Sequence, residues 1–184
     1  MYTPPIMFSP DEAEWPALYA RIETVAGYPV LASSDAAHAV VMALLRTVRA
    51  FRVEPAAYCV MPDHAHVILA GRDGSDPRAA LRRWKQMSGT AYRQRTGRTL
   101  WRPRCAEHLL RDPAALWRAV RYLIDEPVRA GVARTADEFP WLGAPRAVAA
   151  VAGRRAGAGP PAPRPDWWPA RVSSGRRTGY SSPR

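Results

Sequence analysis

The sequence predicts an α+β domain, a ferredoxin-like split βαβ antiparallel sheet with helices on one face, followed by a disordered basic C-terminal tail. Strand-like alternation and helix-like periodicity follow one another in the order strand, helix, strand, strand, helix, strand, helix. Two Asp-Pro steps, Asp76-Pro77 and Asp112-Pro113, mark helix starts, each offering a capping carboxylate and a first-turn proline. From Pro145 onward Ala, Gly, Pro and Arg dominate, with eight arginines, one aspartate and little apolar periodicity. Such a stretch buries too little apolar surface to order itself. The expected division is a flexible start over 1–16, one domain over 17–144 and the tail over 145–184.

The elements follow in turn. Leu18, Ala20, Ile22 and Thr24 alternate with Tyr19, Arg21 and Glu23, a strand with one buried face. After a turn near Gly27 and Pro29, Ser34 or Asp35 caps a helix that runs through Ala39, Val40, Ala43, Leu44 and Val48 to about Phe51. Val53 to Val60 is a strand, Met61-Pro62-Asp63 a turn, and His64 to Ala70 the strand that returns. A basic helix follows from Pro77 to about Arg95, with Gly97 closing it. A short strand near Cys105 to Leu110 leads to the last helix, from Ala114 to about Asp125, ended by Pro127.

The formal charge is +11, carried almost wholly by arginine, with Lys85 the only lysine. Position says more than the total. Residues 78–104 hold nine Arg or Lys and no Asp or Glu, and so one-sided a stretch repels itself unless an anion faces it. Arg82, Arg83, Lys85, Arg93, Arg95, Arg98, Arg102 and Arg104 are therefore the candidate phosphate contacts, with Trp84 and Tyr92 able to pack or stack. Trp84 fits the core better, because Leu81, Trp84, Ser88 and Ala91 share one helical face. In the tail, Trp167 and Trp168 suit either base stacking or docking on the domain. Cys59 and Cys105 match no disulfide or zinc pattern and read as small buried apolar residues. With no long uncharged apolar run and no basic-then-apolar leader at the start, the expectation is a soluble cytoplasmic protein without a membrane segment.

Candidate chemistry sits on the fourth predicted segment. On a strand His64 and His66 point the same way, roughly 6–7 Å apart at Cα, so two imidazoles can meet one cation. Ala65, Val67 and Leu69 take the core side, so the histidines lie on a face the apolar pattern does not need. The alternative is two partly exposed histidines with ordinary hydrogen bonds. On the last helix Tyr122 and Glu126, four apart, share a face, and a carboxylate there would complete a His, His, Glu set. Tyr122 stands at the edge of a stripe formed by Leu116, Ala119, Val120 and Leu123, where both a core and a catalytic role fit.

The run Tyr58-Cys59-Val60-Met61-Pro62-Asp63-His64-Ala65-His66-Val67-Ile68-Leu69 resembles the signature of single-tyrosine HUH transposases, whose mark is histidine, hydrophobic residue, histidine. Leu100-Trp101-Arg102-Pro103-Arg104, Glu107-His108, Arg121 to Gly131 and Phe139-Pro140-Trp141 follow the order of the REP-associated tyrosine transposase branch. The likeness spans about residues 17–143 and joins several motifs in sequence. It departs at Glu126, where Asn or Gln is usual, and at Asp63, where asparagine is commoner.

The resemblance implies that His64 and His66 are metal ligands, Glu126 a third ligand and Tyr122 the nucleophile, with His108 a secondary candidate near the site. It implies Mg²⁺ or Mn²⁺ as cofactor, and a carboxylate at 126 is a sound oxygen ligand for either. The implied activity is cutting and rejoining of single-stranded or hairpin DNA through a 5′-phosphotyrosine, as a transposase or a retained descendant of one, by a monomer or homodimer at the nucleoid. A competing expectation keeps the fold and binds DNA hairpins without cutting. A third, an RNA-binding or structural-metal protein, explains the charge and the histidines but not Tyr122.

Overall fold

The computed structural model describes residues 14–71 and 74–144. The expected tail, with Trp167 and Trp168, and most of the expected flexible start lie outside the described residues. The elements are β1 (Glu14–Glu23), α1 (Ser34–Ala50), β2 (Glu54–Val60), β3 (His64–Gly71), α2 (Pro77–Thr96), β4 (Ala106–Leu110), α3 (Pro113–Ile124), α4 (Glu126–Arg129) and β5 (Leu142–Gly143). The sheet has five strands in the order β4-β1-β3-β2-β5, all pairs antiparallel. Its first four strands, with α1 and α2, form the expected split βαβ, so the α+β antiparallel fold stands. Among the described residues no helix is long and apolar enough to cross a membrane.

Both Asp-Pro signals act as local chemistry requires. Asp76 accepts from the Ala79 N–H at 3.0 Å and Asp112 from the Ala115 N–H at 2.7 Å, satisfying donors that the first helical turn leaves unpaired. Gly97 closes α2 at φ 71°, a left-handed position that favours glycine. At α1 the expected caps are displaced: Ser34 opens the helix and Ser33 is the N-cap, without a side-chain bond. Asp35 instead reaches across to Arg95 of α2 at 3.7 Å.

The expectation that helices occupy one face holds for α1 and α2 and fails for α3. Leu18, Ala20, Ile22, Ala65, Val67 and Leu69 face α1 and α2, packing with Val40, Leu44, Leu81 and Trp84. Tyr19, Cys59, Ile68 and Ala70 face the other way, against Leu116, Ala119, Val120 and Leu123 of α3. The cause is α3's own apolar stripe, which needs a partner surface. Consequently β3 is buried along its whole length, and the histidine face, expected to be dispensable to the core, is enclosed. As predicted, Trp84 is core: its indole donates to the Val40 carbonyl at 3.0 Å and ties α2 to α1.

The last described segment returns to the sheet edge. Phe139-Pro140-Trp141 leads into β5, which pairs with Tyr58 and Cys59 of β2. A Cβ on Gly143 would lie 2.3 Å from the Tyr58 ring, so only glycine permits this approach. This closure brings Leu142 and Ala144 onto the α3 side.

Candidate metal centre and basic groove

The β2–β3 turn aims the two histidines. The Met61 N–H donates to the His64 carbonyl at 2.8 Å, closing the turn, and Thr24 holds the Asp63 carbonyl with both its N–H and its hydroxyl at 2.9 Å. His64 and His66 then share the α3 side of β3, with their Nε2 atoms 2.9 Å apart. Glu126 projects from α4 into the same space. The three residues are all buried, and one potential ligand atom from each lies within 4.8 Å of the others. One chain supplies the whole set.

Each ligand candidate is held from behind. His64 Nδ1 meets Asp63 Oδ1 at 2.6 Å, His66 Nδ1 meets the Tyr19 hydroxyl at 2.9 Å, and Glu126 pairs with Arg129. Burial drives the His66 pKa well below the usual imidazole range, helped by His64 and by the Arg21 and Arg129 charges, so the ring is neutral. Hydrogen bonding with His64 draws the Asp63 carboxyl below its ordinary value. An ionised Asp63 only accepts, so His64 Nδ1 is the donor in that bond and its Nε2 faces His66.

This arrangement could hold a metal ion. Two nitrogens at ~2.1 Å and right angles around one ion would stand roughly 3.0 Å apart, against roughly 3.4 Å in a tetrahedron; the observed separation is 2.9 Å. Without a cation, the two Nε2 atoms share one hydrogen bond and the Tyr19 hydroxyl bonds His66 Nδ1, the donor in each being set by the ring tautomers. Turning both Nε2 lone pairs to an ion would place the His66 proton on Nδ1, where the Tyr19 oxygen can accept it. A hydroxyl serves both states; a phenyl ring serves neither. Tyr19→Phe is therefore expected to weaken Mn²⁺ binding by about 10–100-fold, the usual cost of losing a partner behind a ligand. Titration followed by electron paramagnetic resonance measures it, and unchanged affinity would remove Tyr19 from the centre.

Tyr122 is buried on α3 in the cluster that contains Tyr19, Cys59 and Met61. It also meets the candidate metal-ligand group through Arg129, whose guanidinium carbon lies 3.6 Å from the Tyr122 ring centroid while its Nη2 pairs with Glu126. The local backbone explains the meeting. Pro127 does not simply end the helix, as the sequence suggests: Asp125 remains right-handed helical (φ −77°, ψ −10°) and α4 begins at Glu126. Tyr122, Glu126 and Arg129 thus follow one another at helical spacing. Arg129 Nη2 also donates to the Tyr122 carbonyl at 2.7 Å, near the position where Pro127 can offer no N–H.

Other residues divide by geometry. Cys59 pairs with His66 across the strands, and burial and the Glu126 charge push its thiol far above the ordinary range, so in the free protein it stays protonated. Cys105 is only half-buried, against the expectation for both cysteines. His108 stands opposite Tyr19 on β4; desolvation, then Arg111, lowers its pKa. Sequence reasoning missed Tyr19, Arg129 and Glu23. Glu23 lies opposite His64 and binds both Arg21 and Arg102, the latter at 2.6 Å.

Of the eight predicted phosphate contacts, Arg82, Lys85, Arg93, Arg102 and Arg104 line one open groove of about 720 Å³ between α2 and residues 99–107. Arg83 points to Gln86, Arg95 to Asp35, and Arg98 is exposed outside the groove lining. Thr24 bridges to Trp101, and the Arg102 N–H donates to the Glu23 carbonyl at 2.9 Å. Through Arg102 and Glu23 the groove meets the sheet at the end where His64 stands.

No protein-family model and no curated protein sequence matches the chain. Among solved structures, the chain is similar to a REP-associated tyrosine transposase bound to a REP hairpin, with a TM-score of 0.62 and 22% identity over 90% of this chain and 93% of that one. A candidate transposase from Deinococcus radiodurans aligns with a TM-score of 0.46 and 16% identity over 65% of this chain and 87% of that one. The first shows a shared fold.

Proposed function

We propose that this protein cuts and rejoins single-stranded or hairpin-associated DNA through Tyr122, with His64, His66 and Glu126 holding Mg²⁺ or Mn²⁺. The observation that carries the reading is the convergence, within one chain, of three buried metal-ligand candidates and a tyrosine on the guanidinium of Arg129. The shared fold with a tyrosine transposase whose structure holds a REP hairpin supports it.

A bound divalent cation would draw charge from a non-bridging oxygen of the scissile phosphate as displacement proceeds. The chain's own groups do the rest. His64 and His66, fixed by Asp63 and Tyr19, and Glu126, fixed by Arg129, orient the centre. Tyr122 attacks phosphorus: its O–P bond forms, the bond to the 3′-oxygen breaks, and the proton lost from the phenol is balanced by one gained at the 3′-hydroxyl. The 5′-phosphotyrosine conserves the phosphoester, so reversal reseals the strand and attack by another 3′-hydroxyl transfers it. Burial of Tyr122 keeps bulk water from competing. Arg82, Lys85, Arg93, Arg102 and Arg104 neutralise backbone phosphates along the groove. A single copy brings the three metal-ligand candidates together and sets Tyr122 on Arg129, and the proposed setting is the cytoplasmic nucleoid.

The test is covalent capture. Labelled hairpin oligonucleotides with Mn²⁺ should yield a protein–DNA adduct that survives denaturation and is absent when the metal is chelated. Binding to several hairpins with Mn²⁺ bound and no adduct would instead establish the second reading, a non-cleaving hairpin binder, which the groove alone would support.

A further inference from the structure

Arg129 was part of a sequence motif with no role assigned, and the structure gives its guanidinium three engagements. Nη2 pairs with Glu126 Oε2 and donates to the Tyr122 carbonyl. The plane covers the Tyr122 ring. Nη1 is buried and has no hydrogen-bond partner, the one such side-chain atom found among the described residues. Buried N–H groups are nearly always paired, and an exception in a functional site calls for an acceptor that arrives with a ligand.

We propose that Arg129 is a phosphate-binding residue whose Nη1 donates to a non-bridging oxygen of the scissile phosphate. This rests on the reading of the site as a phosphoryl-transfer centre. Charge selects the ligand. Glu126 already neutralises Arg129, so a divalent cation at His64, His66 and Glu126 leaves surplus positive charge that an anion must match. Chemistry selects it further, since a planar guanidinium suits tetrahedral phosphate oxygens and is weakly hydrated. Position completes the case. The same guanidinium lies on the nucleophile's ring and on a metal-ligand carboxylate, so a phosphate held at Nη1 is held beside both.

The experiment uses full-length protein loaded with Mn²⁺ and inorganic phosphate as probe, with phosphorus-31 line broadening reporting phosphate beside the metal. Arg129→Lys keeps the charge and a possible ion pair with Glu126 but loses the fork; Arg129→Gln also loses the charge. Both are expected to weaken phosphate binding by at least about tenfold, the cost of one charge-assisted hydrogen bond, with Mn²⁺ affinity of the Lys variant within about threefold of wild type. A single-turnover adduct assay should show a fall of about 100-fold in the Lys variant, with hairpin affinity nearly unchanged. Phosphate affinity in Arg129→Lys within twofold of wild type, or no phosphate binding by wild type, overturns the assignment. Should the Gln variant not fold, the Lys variant decides. Absence of any wild-type adduct counts against the cutting reading, while the phosphate measurement still judges Arg129.

Discussion

Tyr122→Phe is expected to abolish covalent capture of DNA, by at least about a thousandfold, because no other atom of residue 122 can form the phosphoester. The change is a clean one. Phenylalanine keeps the ring that Arg129 covers and that α3 buries against the sheet, so the stability loss should stay below about 1.5 kcal/mol. Metal affinity and hairpin affinity should both persist, since Tyr122 is not among the three clustered ligand candidates. Denaturing gels, urea unfolding and Mn²⁺ titration check the three expectations separately. An adduct that survives in Tyr122→Phe but vanishes in Tyr19→Phe would move the nucleophile to β1, where the Tyr19 hydroxyl already touches His66. That outcome would recast Tyr122 as a core residue.

Much of this arrangement is written locally. Asp76 and Asp112 cap the helices they precede because an N-cap acceptor and its donors lie within three residues. The His64, His66 pair is legible because strand alternation fixes its shared direction. Tyr122 and Glu126 stay on one side because Asp125 keeps helical backbone angles up to Pro127. Non-local features were not legible. Tyr19 meets His66 across 47 residues of chain through the β1–β3 register, and no spacing rule encodes that register. The enclosure of the histidine face had a signal, Ile68 and Ala70 continuing the His64, His66 row, but Ala65, Val67 and Leu69 made the other row look sufficient. A strand apolar on both rows needs cover on both sides. β5 has two residues, too few for any pattern to declare.

Arg129 shows how the site depends on its surroundings, and Glu126 is where that dependence is most exposed. Glu126 is 5% exposed and pairs with a guanidinium whose side chain is 19% exposed. Glu126→Ala removes the proposed third ligand and also strands the Arg129 charge among Tyr122 and the α3 cluster. Breaking one side of a buried pair costs about 3–5 kcal/mol, and partial exposure of Arg129 places the expected loss near the lower end. Mn²⁺ affinity should fall by at least about 100-fold, since an anionic ligand and its charge leave together. Glu126→Gln separates the two effects. Its amide oxygen can still face a cation and accept from Arg129, so stability should return to within about 1 kcal/mol of wild type. Metal binding should recover only in part, because a neutral oxygen is a weaker ligand for a hard cation. Urea unfolding paired with Mn²⁺ titration reads both quantities on the same samples. If Glu126→Ala lowers stability but leaves Mn²⁺ affinity unchanged, the carboxylate serves Arg129 and the fold alone, and His64 and His66 hold their cation without it.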